Sequence, residues 1–370
     1  MSTESRLADL RSAFGNLKID CLLVYQPENR RYLSGFKPRD TQIDESSGSL
    51  FISMEKAVLA TDARYRLQAE AQAAGFEVFI YPHGLAKSAG EIAEGLGCRR
   101  LGFESRALPY RLYEKLREEL PKGVKLVPVV DAVERLRMIK DEDEINAIRG
   151  SVRVAERALS LVRERLRLGK SEREVAWEIE RAIREQGAEA VAFEPIAASG
   201  EHAAEPHAEP TGRTLGKADH LILDLGARLA GYCSDMTRTF CMGRPGERFK
   251  EVYGLVRRAQ IEAIKAVRPG LACADLDAVA RKLFEEQGVA ERFAHSLGHG
   301  VGLATHEKPS VSPRSEDTLS PGMIITVEPG LYFPDWGGVR LEQMVVVREG
   351  GYEMLNKDED FYDFSGADTD

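Results

Sequence analysis

Two pairs of apolar, strand-like stretches, each pair with acids set into it, constrain this chain more than any other feature. His220-Leu221-Ile222-Leu223-Asp224-Leu225 carries Asp224, and Gly231 to Phe240 carries Asp235. Asp is uncommon inside strands, yet here it recurs. Folding the stretches back about Leu229-Ala230 predicts Asp224 directly opposite Asp235. Facing Cβ atoms in an antiparallel pair lie about 4.5–5.5 Å apart, so the charges repel unless a cation intervenes. The plain alternative is a pair of turn-flanking acids neutralised by Arg228 or Arg238. The pattern then repeats. Met323 to Glu328 ends on an acid before Pro329-Gly330, and Gly338 to Val347 carries Glu342. Their midpoint is Asp335, which predicts Glu328 facing Glu342, with Arg340 on the same strand face as Glu342.

Between the two pairs lies His295-Ser296-Leu297-Gly298-His299-Gly300-Val301-Gly302-Leu303-Ala304-Thr305-His306, which holds three of the chain's seven histidines. Glycines on both sides of His299 permit close backbone approach. Four carboxylates and one glycine-flanked imidazole make a hard, oxygen-rich donor set suited to Mn, Co, Fe or Zn, and two acid pairs can bridge two ions. Two such ions, about 3.5–4 Å apart, activate a water as nucleophile.

The remainder is organised around this region. A length of 370 residues predicts two domains. Residues 1–134 alternate short strands (Cys21–Tyr25, Ser49–Ile52, Ala57–Ala60, Phe76–Ile80, Arg100–Phe103, Val124–Val129) with helix-length segments, which predicts an α/β domain without chemistry of its own. Residues 135–358 form the second domain, and 359–370 an acidic tail, mobile at least over its last few positions. Within the second domain, Ser171 to Glu174 reads as a capping box. Helices are expected over Arg248–Val267 and Ala274–Gln287. The long irregular stretch Phe193–Lys217 carries His202, read as a surface residue, and His207, which is either a functional group or an ordinary loop residue. A net charge of −9 disfavours nucleic acid and anionic membranes as partners. Five scattered cysteines without a CxxC pair, no membrane-length apolar run and no signal-peptide core predict free thiols in the cytoplasm.

The motifs Asp224-x-Gly226, Ser234-Asp235-Met236-Thr237-Arg238-Thr239, Gly298-His299-Gly300-x-Gly302, Glu328-Pro329-Gly330 and Arg340-x-Glu342, in this order, resemble the metal-dependent aminopeptidase P and prolidase family. Arg31 to Phe36 is loosely similar to that family's N-terminal domain. The resemblance implies an α/β N-terminal domain and an α+β pita-bread catalytic domain with a curved, mainly antiparallel sheet. It implies two divalent ions per subunit, Mn first and Co or Zn as alternatives, and a homodimer. By the same resemblance Asp224 holds one ion, Asp235 and Glu342 bridge both, and His299 and Glu328 complete the other shell. Glu328 also takes a proton from the nucleophilic water. His295 and His306 handle protons and hydrogen bonds, His207 lies over the substrate, and Thr237 and Arg340 stand behind the acids.

The implied substrates are small peptides with proline in second position, whose scissile amide nitrogen carries no hydrogen. Prolidases of this kind carry an arginine four residues after the position of His306, where it grips a dipeptide's free carboxylate. Here that position is Ser310. The expectation is therefore an Xaa-Pro aminopeptidase, with an Xaa-Pro dipeptidase as the alternative, unless Lys308 or Arg314 supplies the missing cation. A non-catalytic binding module on the same fold is a third reading, disfavoured because no expected ligand is lost. Gln343 departs from the acid or Asn that commonly follows the last Glu.

Overall fold

The computed structural model describes residues 2–38, 40 and 46–364. The chain divides into two compact units, Met1–Arg137 and Met138–Asp370, so the division falls slightly after the expected cut at 134. In the first unit, β1 (Cys21–Val24), β2 (Ser49–Ser53), β3 (Ala57–Thr61), β4 (Glu77–Ile80), β5 (Arg100–Glu104) and β6 (Lys125–Val129) form one sheet ordered β4-β3-β2-β1-β5-β6. The β1–β2 and β2–β3 pairs are antiparallel, whereas β3–β4, β1–β5 and β5–β6 are parallel. Parallel neighbours need crossovers: helix Arg66–Gln72 connects β3 to β4 and helix Tyr110–Glu119 connects β5 to β6, while helix Leu85–Gly95 carries the chain from β4 at one edge to β5. The helices Leu85–Gly95 and Tyr110–Glu119 close one face. Ile92 and Leu116 of these helices bury against Leu23, Phe51 and Leu101 of the sheet.

The second unit is built from two helix pairs, each backing a group of strands. Helix Glu142–Arg165 opens with a capping box of Asp141 and Glu144, and helix Glu172–Glu185 with the expected one of Ser171 and Glu174. They cover β7 (Ala190–Val191), β8 (Ile196–Ser199), β9 (His220–Leu225), β10 (Ala227–Leu229), β11 (Tyr232–Cys233) and β12 (Met236–Cys241). Leu159, Val162 and Ile179 pack there on Leu221, Leu223 and Met236. The second helix pair, Glu247–Ala266 and Cys273–Glu286, covers β13 (Gly298–Gly300), β14 (Glu307–Val311), β15 (Ile324–Val327), β16 (Gly330–Phe333), β17 (Gly337–Arg340), β18 (Gln343–Arg348) and β19 (Gly351–Met354). Val256 and Leu276 pack there on Ile325, Val327 and Val345. All strand pairings in this unit are antiparallel. This is the pita-bread arrangement.

Register corrects the first strand pair. Thr237, not Asp235, lies opposite Asp224. The cause is the turn. Ala230 and Gly231 both take positive φ, 50° and 84°, as a two-residue hairpin turn of type I′ requires, so the fold-back point lies beyond Leu229-Ala230. No Asn-Gly or Asp-Gly marks that turn in the sequence. The shift is an even number of residues, so Asp224, Asp235 and Thr237 still share one sheet face. The second pair keeps its expected register. Val327 pairs with Gln343 and Gly330 with Arg340, both ladders centred on Asp335, and Glu328 and Glu342 occupy equivalent positions in the break between them.

The start of the expected tail at 359 also needs correction. Asp358 forms an ion pair with the buried Arg238, and Phe361, Tyr362 and Phe364 pack against the second helix pair's core, so residues up to 364 belong to the fold. Residues 365–370 lie outside the described residues.

Candidate metal centre

Each site residue is held by an element that leaves its side chain little choice. β9 presents Asp224. The break after β11 presents Asp235, whose N–H meets the Met344 Sδ at 3.2 Å. β13 presents His299, and its glycines explain themselves sterically. A Cβ on Gly298 would lie 2.1 Å from the Thr326 carbonyl oxygen, and one on Gly300 would lie 2.1 Å from that of Lys308. Only glycine lets β13 thread between β14 and β15 and bring His299 to the acids.

Asp235, His299 and Glu342 converge. Each offers one donor atom, and the three atoms lie within 4.8 Å of one another. His299 Nε2 stands 3.6 Å from Asp235 and 3.3 Å from Glu328. Its Nδ1 is 3.1 Å from the Gly300 carbonyl oxygen; donation there leaves Nε2 as the atom facing the carboxylates. Thr326 ties the group together, receiving the His299 N–H and donating to Glu328 at 3.1 Å. Thr237 Oγ1 donates to Glu342 at 2.8 Å and accepts from Arg340 Nε at 3.1 Å. The Arg340 guanidinium binds Asp224 Oδ2 at 2.7 Å and the Tyr332 hydroxyl at 2.9 Å. That hydroxyl also lies 2.9 Å from His295 Nε2, so one chain of contacts runs from His295 to Asp224.

The charge balance is unusual. Burial, then the charges of Glu342 and Asp224, lift Asp235 well above the ordinary carboxylate range. Burial and the charges of Glu328 and Asp224 do the same for Glu342. Burial also raises Asp224, against the pull of Arg340. Glu328 moves the other way, because the hydrogen bond and charge of His299 outweigh burial and hold it at about 2. His299 is correspondingly raised: burial opposes its charge, but Glu328 favours it. Asp224 Oδ1 and Glu342 Oε1 are buried without a hydrogen-bond partner. Orphaned buried carboxylate oxygens beside crowded like charges are costly unless a cation meets them. Oxygen donors with one imidazole fit divalent ions of the Mn, Co or Zn kind.

The remaining histidines take distinct positions. The ring of His306 lies 4.1 Å from that of His299 between centroids; partial burial of the ring and the His299 charge lower it to about 4. Burial likewise lowers His295. His207 is exposed on its loop beside Pro206, whose carbonyl accepts from Arg340 at 3.0 Å. His202 is not the surface residue expected. Its Nδ1 lies 2.9 Å from Glu172, a fully buried carboxylate that also accepts from the N–H and hydroxyl groups of Ser199 and Thr211. Glu172 thus pins both ends of the loop carrying His207. Glu172, Thr326 and Tyr332 carry no sequence signal of a role at the site. Glu172 was visible only as part of a capping segment, whereas Tyr332, two residues past Gly330, lay on a strand with no acid to draw attention.

Residues 146–349 match Metallopeptidase family M24, and residues 6–139 match the Creatinase/Prolidase N-terminal domain. The chain is 38% identical over 344 residues to an Xaa-Pro dipeptidase of Pyrococcus horikoshii, covering 92% of this chain and 93% of that one. Among solved structures, an Xaa-Pro dipeptidase from Bacillus anthracis superposes with a TM-score of 0.92 at 36% identity, covering 96% of this chain and 98% of the other. An X-Pro aminopeptidase from Thermotoga maritima MSB8 gives a TM-score of 0.83 at 33% identity, covering 94% and 98%. The chain belongs to metallopeptidase family M24, with a creatinase/prolidase N-terminal domain ahead of the pita-bread domain. It is a metallopeptidase. Among the described residues, no helix is long and apolar enough to cross a membrane.

Proposed function

We propose that the chain is a metal-dependent Xaa-Pro dipeptidase, hydrolysing the amide before a C-terminal proline. The observation that carries the choice is near-full-length similarity to Xaa-Pro dipeptidases, at 38% and 36% identity over more than nine-tenths of the chain. The convergence of Asp235, His299 and Glu342, with the orphaned oxygens of Asp224 and Glu342, supports the metal dependence. In this reading Asp224, Asp235, His299, Glu328 and Glu342 hold two divalent ions, Mn first and Co or Zn as alternatives. When bound, such ions polarise the carbonyl and bring the pKa of water from 15.7 to roughly 7. Glu328, depressed to about 2, is a carboxylate at neutral pH and accepts the proton of the attacking water. His295, braced by Tyr332, and His306, neutral at pH 7, are hydrogen-bonding groups for the tetrahedral species and the leaving proline nitrogen. His207 closes over the peptide. A homodimer in the cytoplasm is part of the proposal.

One observation favours Xaa-Pro aminopeptidase as the second reading. Ser310 pairs with His299 across β13 and β14 and is exposed, so a hydroxyl stands where an arginine would grip a dipeptide carboxylate. The Lys308 ammonium is already engaged by Asp317 at 3.2 Å. Comparing kcat/KM for Xaa-Pro with that for Xaa-Pro-Yaa separates the two. A strong preference for the dipeptide supports the dipeptidase, and equal or faster cleavage of the tripeptide replaces it with the aminopeptidase.

A further inference from the structure

The five cysteines are scattered in sequence, yet two of them meet in the first unit. β1 and β5 pair in parallel with Cys21 opposite Leu101, which brings the turn before β5, holding Cys98, beside the start of β1. The two Sγ atoms and a carboxylate oxygen of Asp20 lie within 4.8 Å of one another. Asp20 is not free to swing away. Its Oδ1 accepts the N–H groups of Arg99 and Arg100 at 3.1 and 3.0 Å, which ties the carboxylate to the turn carrying Cys98. Cys21 and Cys98 are 1% and 7% exposed, while Asp20 is half-buried and forms the mouth of the cluster.

We propose that Cys21, Cys98 and Asp20 form a second cation site, specific for one thiophilic divalent ion of the zinc class and separate from the oxygen-rich centre of the second unit. The chemistry follows from the donor set. Two sulfurs select soft or borderline ions and discriminate against Mg and Ca, whereas the centre around Asp235 is built from oxygens and one imidazole. Three protein donors leave a fourth tetrahedral position, and the half-buried carboxylate puts it on the solvent side, where water fills it. Three negative groups this close repel one another, so without a cation the sulfurs stay protonated. Binding displaces both protons: M²⁺ and two thiols give a metal dithiolate and two H⁺. Nothing is oxidised or reduced. The ion joins β1, the turn after helix Leu85–Gly95 and the start of β5, so its role is to fasten the first unit.

The test uses the full chain, reduced, stripped with chelator and kept anaerobic. Cd²⁺ is the probe, because thiolate-to-cadmium charge transfer absorbs in the ultraviolet and carboxylate or imidazole ligation does not reproduce it. The expected result is a saturable band whose final amplitude corresponds to one dithiolate-bound Cd²⁺ per chain, with release of protons. It is abolished in Cys98→Ser and Cys21→Ser and retained in Cys273→Ser and in Asp235→Asn. Asp20→Asn keeps both thiols and shifts the titration midpoint about tenfold higher. It also guards against misfolding of a buried cysteine variant, which far-UV circular dichroism checks directly. No band in the folded wild-type protein, an undiminished band in folded Cys98→Ser, or a Cys21–Cys98 disulfide in protein freshly isolated without oxidant would each overturn the proposal.

Discussion

His220 opens β9, the strand that carries Asp224, and its ring is a wedge. It stacks on Trp336 with 4.3 Å between centroids, and a Cβ on Gly337 would lie 2.3 Å from Nε2, an atom buried without a partner. The ring therefore packs β9 against the turn leading into β17, the strand of Arg340. Burial lowers its pKa from 6.5 to about 4, the neighbouring Asp219 pulling weakly the other way. A histidine depressed on folding binds its proton more weakly in the native chain than in the unfolded one. Its contribution is thus intact above pH 6.5 and is lost as the pH falls toward 4. At pH 5 an unfolded His220 is almost wholly protonated and the folded one almost wholly neutral, so acidification from pH 7 costs about 2 kcal/mol through this residue alone. His220→Phe keeps the stack and removes the titration. Urea unfolding of chelator-treated wild type and variant at pH 7 and pH 5 isolates the effect, because the other titrating groups are common to both proteins. The variant should lose about 2 kcal/mol less than wild type over that interval. Parallel pH dependences in the two proteins would refute the reasoning.

Asp235→Asn removes one of the crowded acids, so the chelated protein should melt higher than chelated wild type while metal-dependent stabilisation and peptide hydrolysis disappear; calorimetry with and without Mn²⁺ reads both. Gly298→Ala drives a Cβ into the Thr326 carbonyl, which requires β13 to leave β15. It should destabilise the second unit by about 2–4 kcal/mol and abolish hydrolysis, measured by urea titration and assay. Glu172→Gln loses charge-assisted hydrogen bonds at both ends of the His207 loop, worth about 1.5–3 kcal/mol each when ionic. Steady-state kinetics should show KM rising about tenfold with kcat little changed, and Glu172→Asp recovering part of the loss.

How much of this was legible in the sequence depended on the range of the interaction. Glycines around His299, the capping box at Ser171 and the hairpin centred on Asp335 are local signals, and the structure contains all three. The strand face of Asp224 and Asp235 was also readable, because it depends only on alternation. Their register was not. It is set by positive φ at Ala230 and Gly231, and alanine does not advertise that conformation. Contacts distant in sequence were the main loss. His202 looked like a loop residue because its partner Glu172 lies thirty positions earlier, on a helix. The C-terminal residues looked like a tail because their charge was conspicuous, whereas Phe361 and Tyr362 reach a core assembled from other elements. Cys21 and Cys98 are brought together by a parallel pairing that no local pattern encodes.

Metal-dependent Xaa-Pro hydrolysis at the acids converging on His299 is the proposal on which the other roles assigned to the site rest. Its most direct test is release of free proline from an Xaa-Pro dipeptide by chelator-stripped full-length protein, before and after addition of Mn²⁺, Co²⁺ or Zn²⁺, with Asp235→Asn in parallel. Negligible release from stripped protein, recovery with at least one of these ions, and no recovery in the variant are expected. Hydrolysis that survives complete stripping, or recovery of Asp235→Asn to the wild-type rate, would contradict that proposal.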